Sequence, residues 1–498
     1  MGGDGARGGS PLGHNSGMGS LHPHGGSSYL RRSCRDTVVQ GLLRHARFGL
    51  RCQHMQRRRF LQSAGLIAAG TAAPFVLPSR LFADQAPSER VTLGFIGTGR
   101  QAQALNIPEF MAVPGVQVVA VCDVDSWRAG QAKALVESTY AKRQPSGSYR
   151  GCAAFRDFRE LLARTDIDAV MISTPDHWHV PMALAALRAG KDVSLEKPIT
   201  RYISEGRRVV KTTAQHTRVF RVDSEFRSLE RFHRAAELVR NRRIGKLHTI
   251  RVASPKEEFP EEAEIVTAPP ADLDYDLWLG PAEKVPYMQK RVHPPRDLKS
   301  RPGWFRSKLF ADGMLTNWGA HLVDVAQWAN GTERTGPVEV QATGKYHDGA
   351  VWNVLETFDA RFRFANGVQL FYTMDQPNIR FEGDKGWLQV NYATSAQHPE
   401  LLEASSPDIL AARLGSSDVR FPLRSERVDF IDAVRTRGQT MEDAEVGQRT
   451  ISICHLAHIG IQRDGATLTW DPDNERFPND EAANTLLTGP ASRAPWAD

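Results

Sequence analysis

An α/β fold in two unlike parts is predicted from three observations. Short apolar strands alternate with helical stretches between residues 91 and 222. A glycine turn follows the first of these strands directly. A later run of strands between residues 338 and 392 is joined by hairpin turns such as Ala365-Asn-Gly367. The first pattern reads as a parallel sheet wound on both faces. The third reads as a mainly antiparallel sheet. The 498 residues also exceed one ordinary core and suggest two or three domains. The divisions expected are 1–83, an extension with an export signal; 84–223, a nucleotide-binding domain; and 224–498, a substrate and oligomerisation domain with an insertion at 255–312.

The N-terminal segment holds the chain's positive charge. Residues 1–83 contain eleven Arg, no Lys and two Asp, a net +9; with a total of +6, the remainder carries −3. The pI near 9.1 therefore belongs to the leader and gives no case for a nucleic-acid partner. The first fifty-odd residues are rich in Gly, Ser, His and Arg and read as disordered. Met55-Gln-Arg-Arg-Arg-Phe-Leu then precedes an uncharged run ending near Leu77. A basic region before a short apolar one is an export signal, and Arg57-Arg58-x-Phe60-Leu61 resembles the twin-arginine motif. The expectation is a periplasmic protein using the twin-arginine export machinery, with Met55 as the true start. A membrane anchor is the weaker alternative, because the run is short and holds Gly and Pro. Beyond the leader, three cysteines without metal or framework spacing point to core residues.

The folded part opens on Val91-Thr-Leu-Gly-Phe-Ile-Gly-Thr-Gly-Arg-Gln-Ala102. Gly97 permits a tight turn, and Gly99 admits a ligand close to the backbone. A helix start follows, where free N–H groups and the dipole favour a phosphate. Ala102 stands at the third glycine position of G-x-G-x-x-G. The next strand, Val116-Gln-Val-Val-Ala-Val-Cys-Asp123, ends in an acid placed to hold an adenosine ribose. Together they predict a dinucleotide site of Rossmann type involving Gly97, Thr98, Gly99, Arg100 and Asp123. Asp123 would repel a 2′-phosphate, which favours NAD over NADP.

Helices are expected at 126–140 and 155–163, and a buried strand at 168–174 that Pro175 stops. The loop Asp176-His-Trp-His179 leads to a helix at 180–189. The strand at 191–195 ends in Glu196-Lys-Pro198; a helix at 203–216 and a strand at 219–222 complete the unit. Ligands of such sheets bind beyond the strands' carboxyl ends. The glycine turn, Asp123, Thr174-Pro175 and Glu196-Lys197 all fall on that edge. Next come a helix at 232–241 and a strand at 247–253. The insertion at 255–312 is irregular, rich in Pro and aromatics, and long enough to suggest a function. Beyond it, Asn317, His321 and Asp324 recur at i, i+4 and i+7 on one helix face. Strands follow at 338–346, 356–364, 368–374, 379–382 and 387–392, then helices at 425–437 and 443–462 and a strand at 466–470.

Lys197, stiffened by Pro198, is a candidate to share a proton with a substrate hydroxyl. His321 is a candidate acid/base, because imidazole titrates near neutrality. His179 or His177 could lie by the nicotinamide; two His at i, i+2 without a third ligand make a poor zinc site, so no metal is expected. Trp304 and its aromatic neighbours could stack on a sugar, Arg227 could contact substrate or phosphate, and Asp324, on the face of Asn317 and His321, is a further candidate substrate contact.

From residue 91 to about 470 the chain resembles the glucose–fructose oxidoreductase/inositol dehydrogenase (Gfo/Idh/MocA) family. The resemblance rests on Gly97-Thr-Gly99, Val121-Cys-Asp123, Thr174-Pro-Asp-His-Trp-His179, Gly190-Lys-Asp-Val-Ser-Leu-Glu-Lys-Pro198, Trp278-Leu-Gly-Pro281 and Gly313-Met-Leu-Thr-Asn-Trp-Gly-Ala-His321. It implies a Rossmann domain, a C-terminal α/β domain with a large open sheet, tightly held NAD(P), and redox chemistry at a sugar or polyol hydroxyl. It also implies homo-oligomers. The family's catalytic group is the Glu-Lys-Pro lysine with an Asp-x-x-x-His pair; Lys197 and His321 match, while Asn317 stands in the aspartate's place and cannot take up a proton. The function implied is NAD-dependent oxidation of a sugar, glycoside or cyclitol hydroxyl. The alternatives are a redox-neutral NAD-dependent glycoside hydrolase and a non-catalytic sugar- or NAD-binding protein.

Overall fold

The computed structural model describes residues 90–144, 146–260, 265–392 and 401–496. The leader, with Arg57-Arg58 and Met55, lies outside the described residues, so the export expectation is carried by sequence alone.

The first sheet contains β1 (Val91–Ile96), β2 (Val116–Cys122), β3 (Ala153–Phe155), β4 (Ala169–Ile172), β5 (Asp192–Glu196) and β6 (Phe220–Asp223). All pairings are parallel, in the order β3-β2-β1-β4-β5-β6. The order reverses between β1 and β4, and a doubly wound sheet opens a crevice at such a reversal. β2 and β4 are buried at every position, as continuous apolar strands covered on both faces should be. The helices of this half are α1 (Ile107–Ala112), α2 (Ser126–Ala141), α3 (Phe158–Leu162), α4 (His179–Arg188) and α5 (Ile203–Gln215). Asp125 caps α2 by accepting the N–H groups of Trp127 and Arg128. The helix expected at 155–163 is shorter: β3 occupies its first residue, and Asp157 caps α3.

Glu225, with φ 68°, bends the chain out of β6. The second half adds α6 (Glu230–Arg240), β7 (Leu247–Ser254), α7 (Tyr275–Leu279), α8 (Met314–Asn330), β8 (Pro337–Tyr346), β9 (Leu355–Phe364), β10 (Gln369–Met374), β11 (Asn378–Gly383), β12 (Gly386–Asn391), β13 (Leu402–Ala404), α9 (Pro407–Ala411), α10 (Glu426–Thr436), α11 (Ala444–Gln462), β14 (Leu468–Thr469) and α12 (Glu481–Thr485). Its eight-stranded sheet runs β13-β12-β11-β7-β10-β9-β8-β14. Only β7 and β10 pair in parallel; the rest is antiparallel. From Thr357 onward β9 alternates, burying Phe358, Ala360, Phe362 and Phe364. α6, α8 and α11 pack on this sheet.

Two segments cross back to the first sheet. α10 places Phe430, Ile431, Ala433 and Val434 in the apolar cluster of Val91, Phe95 and Phe110. The insertion forms a small core of Leu273, Trp278, Leu279, Tyr287, Val292 and Phe310. It then bonds to the loop after β2: Asp274 N donates to the Val124 carbonyl (3.0 Å) and Ser126 N to that of Asp272 (2.9 Å). Arg128 Nη2 donates to the carbonyls of Pro294 (3.1 Å) and Asp297 (2.7 Å), and His293 Nε2 meets Asp125 Oδ2 at 3.1 Å.

Candidate active site

One cleft of about 380 Å³ runs along the carboxyl edge of the first sheet. Gly97, Gly99, Arg100, Asp123, Thr174, Pro175, Glu196 and Lys197 line it from the sheet side; Asn317, His321 and Trp304 line it from the second half. The parallel sheet dictates this gathering, because every strand delivers its following loop to the same edge.

The glycine turn is tightly built. Gly97 has φ 83°, and a Cβ there would lie 2.5 Å from the Ser173 carbonyl oxygen. Gly97→Ala is therefore expected to cost about 1–3 kcal/mol of strain and to weaken dinucleotide binding at least tenfold. Titration of protein fluorescence with NAD checks this; wild-type affinity in the variant would refute it. A Cβ on Gly99, by contrast, meets nothing within 4 Å. Its place beside the cleft leaves room for a ligand against the backbone. Thr98 is buried and does not face the cleft; its N–H (2.7 Å) and hydroxyl (3.0 Å) hold Asp123 Oδ2. The helix after the turn opens with a wide π-helical turn, Ala102–Asn106. It aims the buried Asn106 amide at Ser173 Oγ and Glu196 Oε1, both 2.9 Å away. A turn of this shape, an open face at Gly99 and an acid ending β2 fit a dinucleotide.

At the other end Lys197 is half-buried. His321 Nδ1 meets the Ser224 carbonyl, so it must be the N–H and Nε2 keeps the lone pair. Phe226 stacks on the ring at 4.7 Å. Burial, helped by the charge of Lys197, pushes the imidazole down to about 3. The expectation that His321 titrates near neutrality is thus corrected: it is a neutral imidazole in this site.

Three expected contacts lie elsewhere. Arg227 and Asp324 are buried and pair with each other, Nη2 to Oδ1 at 2.6 Å and Nε to Oδ2 at 2.7 Å; neither lines the cleft. A buried guanidinium requires such a bidentate partner. His179 is also buried behind the loop, with Nδ1 on the Pro198 carbonyl (2.6 Å) and Nε2 on that of Thr174 (2.9 Å). It braces the Thr174-Pro175 and Lys197-Pro198 turns from behind. His177 Nε2 lies 3.1 Å from the Trp278 carbonyl. Among the described residues no His, Cys, Asp or Glu cluster could hold a metal ion.

Two acids that the sequence reading gave no role face the cleft. Asp176 is only 5% exposed, and burial raises its carboxyl to about 8. Glu225, on the strained bend after β6, is raised to about 7 by burial and by Glu196 and Asp223. Their sequence signal is position alone: each follows a strand of the parallel sheet on its carboxyl side. Phe226, Trp318, Tyr392, Trp304 and Phe305 complete an aromatic wall, Phe226 stacking on Tyr392 at 5.0 Å.

Comparison with known proteins agrees with this geometry. Residues 91–224 match the model of an oxidoreductase family's NAD-binding Rossmann fold, and residues 260–498 that of an oxidoreductase family's C-terminal alpha/beta domain. The chain belongs to the Gfo/Idh/MocA oxidoreductase family. Residues 91–224 are thus an NAD-binding Rossmann fold. Curated relatives include a glycosyl hydrolase family 109 protein of Saccharopolyspora erythraea, 38% identical over 26% of this chain and 27% of that protein. An alpha-N-acetylgalactosaminidase of Shewanella oneidensis is 30% identical over 32% of this chain and 37% of that protein. The chain thus spans about a quarter to two fifths of the length of the curated relatives it matches. Among solved structures, the fold is shared with the WlbA dehydrogenase of Chromobacterium violaceum in complex with NADH and UDP-GlcNAcA (TM-score 0.56, 18% identity, 78% of this chain and 97% of that one). It is shared too with the aldose-aldose oxidoreductase of Caulobacter crescentus complexed with glycerol (TM-score 0.55, 16% identity, 76% and 99%).

Proposed function

We propose that this Gfo/Idh/MocA protein oxidises a secondary hydroxyl of a sugar, glycoside or cyclitol. The observation that carries the reading is the shared cleft: the glycine edge and the Lys197, Asn317 and His321 end belong to one continuous cavity. The nicotinamide, when bound, supplies a two-electron hydride acceptor. Lys197 takes the hydroxyl proton at Nζ. His321 Nε2, a neutral lone pair, accepts a hydrogen bond from the sugar and fixes its orientation. Asn317 orients a neighbouring hydroxyl through its amide, which can donate and accept but not ionise. The aromatic wall covers the apolar face of the sugar ring and excludes water.

The glycosidase names among the relatives favour a second reading, in which the sugar is oxidised transiently, its glycosidic group leaves, and the cofactor returns unchanged. Tight retention of NAD would suit that cycle, and the insertion bonded to residues 124–128 supports it. The test is purified protein against a panel of glycosides and polyols. Net NADH formation is the dehydrogenase result; aglycone release without net NADH is the hydrolase result. Neither, with sugar still bound, would sink both in favour of a binding protein. Export through the twin-arginine route and assembly into a homo-oligomer complete the proposal. Cell fractionation and light scattering test them: a cytoplasmic, monomeric protein would refute both.

A further inference from the structure

Arginine and lysine side chains line the cleft at Arg100, Arg128, Arg156, Lys197 and Arg301. The first four come from the parallel-sheet half. Arg128 is engaged by Asp125 and by the carbonyls of Pro294 and Asp297. Arg100 follows the glycine turn, Arg156 follows β3 and Lys197 follows β5. Arg301 differs, because the insertion carries it in from the opposite side.

Its surroundings show what it lacks. The guanidinium groups of Arg301 and Arg306 both lie over the ring of Phe305, 5.0 and 4.4 Å from its centre. Arg306 does not line the cleft, and it has its counter-ion: Nε meets Glu257 Oε1 and the Glu258 carbonyl, each at 2.9 Å. Arg301 lines the cleft and makes no hydrogen bond or ion pair among the described residues. Burial lowers its affinity for a proton, and Glu257, already held by Arg306, does not make up the difference. The group stays charged, because a guanidinium does not deprotonate in a protein. A cation held against an aromatic face and left without an anion is a fork for two oxygens of an oxyanion. The aromatic wall gives its place. Phe305 meets Trp304 at 6.3 Å, Trp304 and Trp318 share one apolar cluster, and the Trp318 ring lies 6.1 Å from that of His321. Arg301 and His321 thus stand at two ends of one wall.

We propose that the substrate is an anionic sugar, its carboxylate or phosphate held in the fork of Arg301 while the ring lies along the aromatic wall. This rests on the reading of the cleft as the site of a sugar oxidoreductase. The reacting carbon then lies toward His321 and Lys197, and the charged substituent toward Arg301. The arginine thereby fixes which hydroxyl of the ring reaches Lys197. A neutral sugar of the same shape leaves the guanidinium without its anion and loses that anchor.

Calorimetric titration of the NAD-loaded protein with matched pairs tests this: glucuronate against glucose, galacturonate against galactose, and the phosphorylated hexoses against the free ones. At least one acid is expected to bind about tenfold or more tighter than its neutral partner. That advantage should shrink as NaCl rises from about 0.05 to about 0.5 M. A preference for the uronates identifies a carboxylate, and one for the phosphorylated hexoses a phosphate; either supports the proposal. Arg301→Gln should bring the acid-to-neutral ratio down to about one. Arg301→Lys, which keeps the charge without the fork, should keep part of it. Both variants should unfold close to the wild-type Tm, because Arg301 makes no hydrogen bond or ion pair within the described protein. Equal binding of every acid and its neutral partner would overturn the proposal, as would a ratio that Arg301→Gln leaves intact. A variant losing NAD affinity by the same factor as acid affinity would also overturn it, because Arg301 would then hold the cofactor's pyrophosphate. Acids that bind through Arg301 yet are neither oxidised nor cleaved sink the oxidoreductase reading and leave the anion site standing. Turnover of neutral sugars alone sinks the anion site and leaves that reading standing.

Discussion

Lys197→Ala is expected to lower kcat by about a thousandfold, within the range that positioned proton transfer contributes, while NAD remains bound. Lys197 sits at the end of β5, a strand buried at every position, so its backbone is set by the sheet and not by its own side chain. The substitution removes an ammonium and little packing. Its effects should therefore be electrostatic and local. Lys197 lowers the carboxyls of Asp176, Glu196 and Glu225, so all three should hold their protons more tightly in the variant. The same charge depresses His321, whose imidazole should become more basic. Small primary amines added to the variant should restore part of the rate, because the missing group is an amine in a cleft open to solvent. The measurement is single-turnover kinetics with the bound cofactor followed by its absorbance. Full activity in Lys197→Ala would overturn the proposed chemistry.

Arg221→Met is expected to destabilise the fold by about 3–5 kcal/mol, the usual result of breaking a buried ionic network from one side. Arg221 is fully buried in β6, with Nη1 2.5 Å from Asp429 Oδ2. Glu442 (3.5 Å), Asp223 (3.7 Å) and Glu426 (4.0 Å) surround it. Arg427 is the second cation, 2.8 Å from Asp223 and 2.7 Å from the Asn106 amide oxygen. Burial raises the carboxyls of Glu426 and Glu442 above the usual carboxylate range, against the pull of the neighbouring arginines. Asp429 stays exposed to the loss: without Arg221 it keeps Arg424 at 2.5 Å but no partner on β6. A methionine of similar length fills the space and leaves the charge defect. The loss should ease on acidification, because protonating the carboxyls removes the unpaired charge. Urea unfolding at two pH values reads it; a change below about 1 kcal/mol at neutral pH would contradict the assignment.

The sheet edge was legible in the sequence because parallel strands leave few choices. Once 91–96, 116–122, 169–172 and 192–196 read as strands, Gly97, Asp123, Thr174 and Lys197 had to meet. Asn317 and His321 joined them by one helical turn. Asp324 did not, although it shares their face: seven residues advance a helix by about 10 Å, which carries Asp324 past the cleft to Arg227. α8 is buried over nearly its whole surface, so its periodicity could not tell a cleft-facing polar residue from an internally paired one. Asp176 and Glu225 were hidden for another reason. Each is a single acid in a loop, and its chemistry comes from the burial that the fold imposes. β3 and α12 were too short for any periodicity to mark them.

The segment 272–305 touches both halves of the chemistry. Residues 272–297 of it are bonded to residues 124–128 beside Asp123, and its last part carries Trp304 and Phe305 to the wall of the cleft. On the proposed reading, a substrate that fixes Trp304 restrains the same segment that is bonded to Asp125 and Arg128. By thermodynamic reciprocity, the factor by which a bound substrate tightens NAD is the factor by which NAD tightens that substrate. On the proposed reading, this strip of chain couples the two ligands beyond the contact that hydride transfer itself requires.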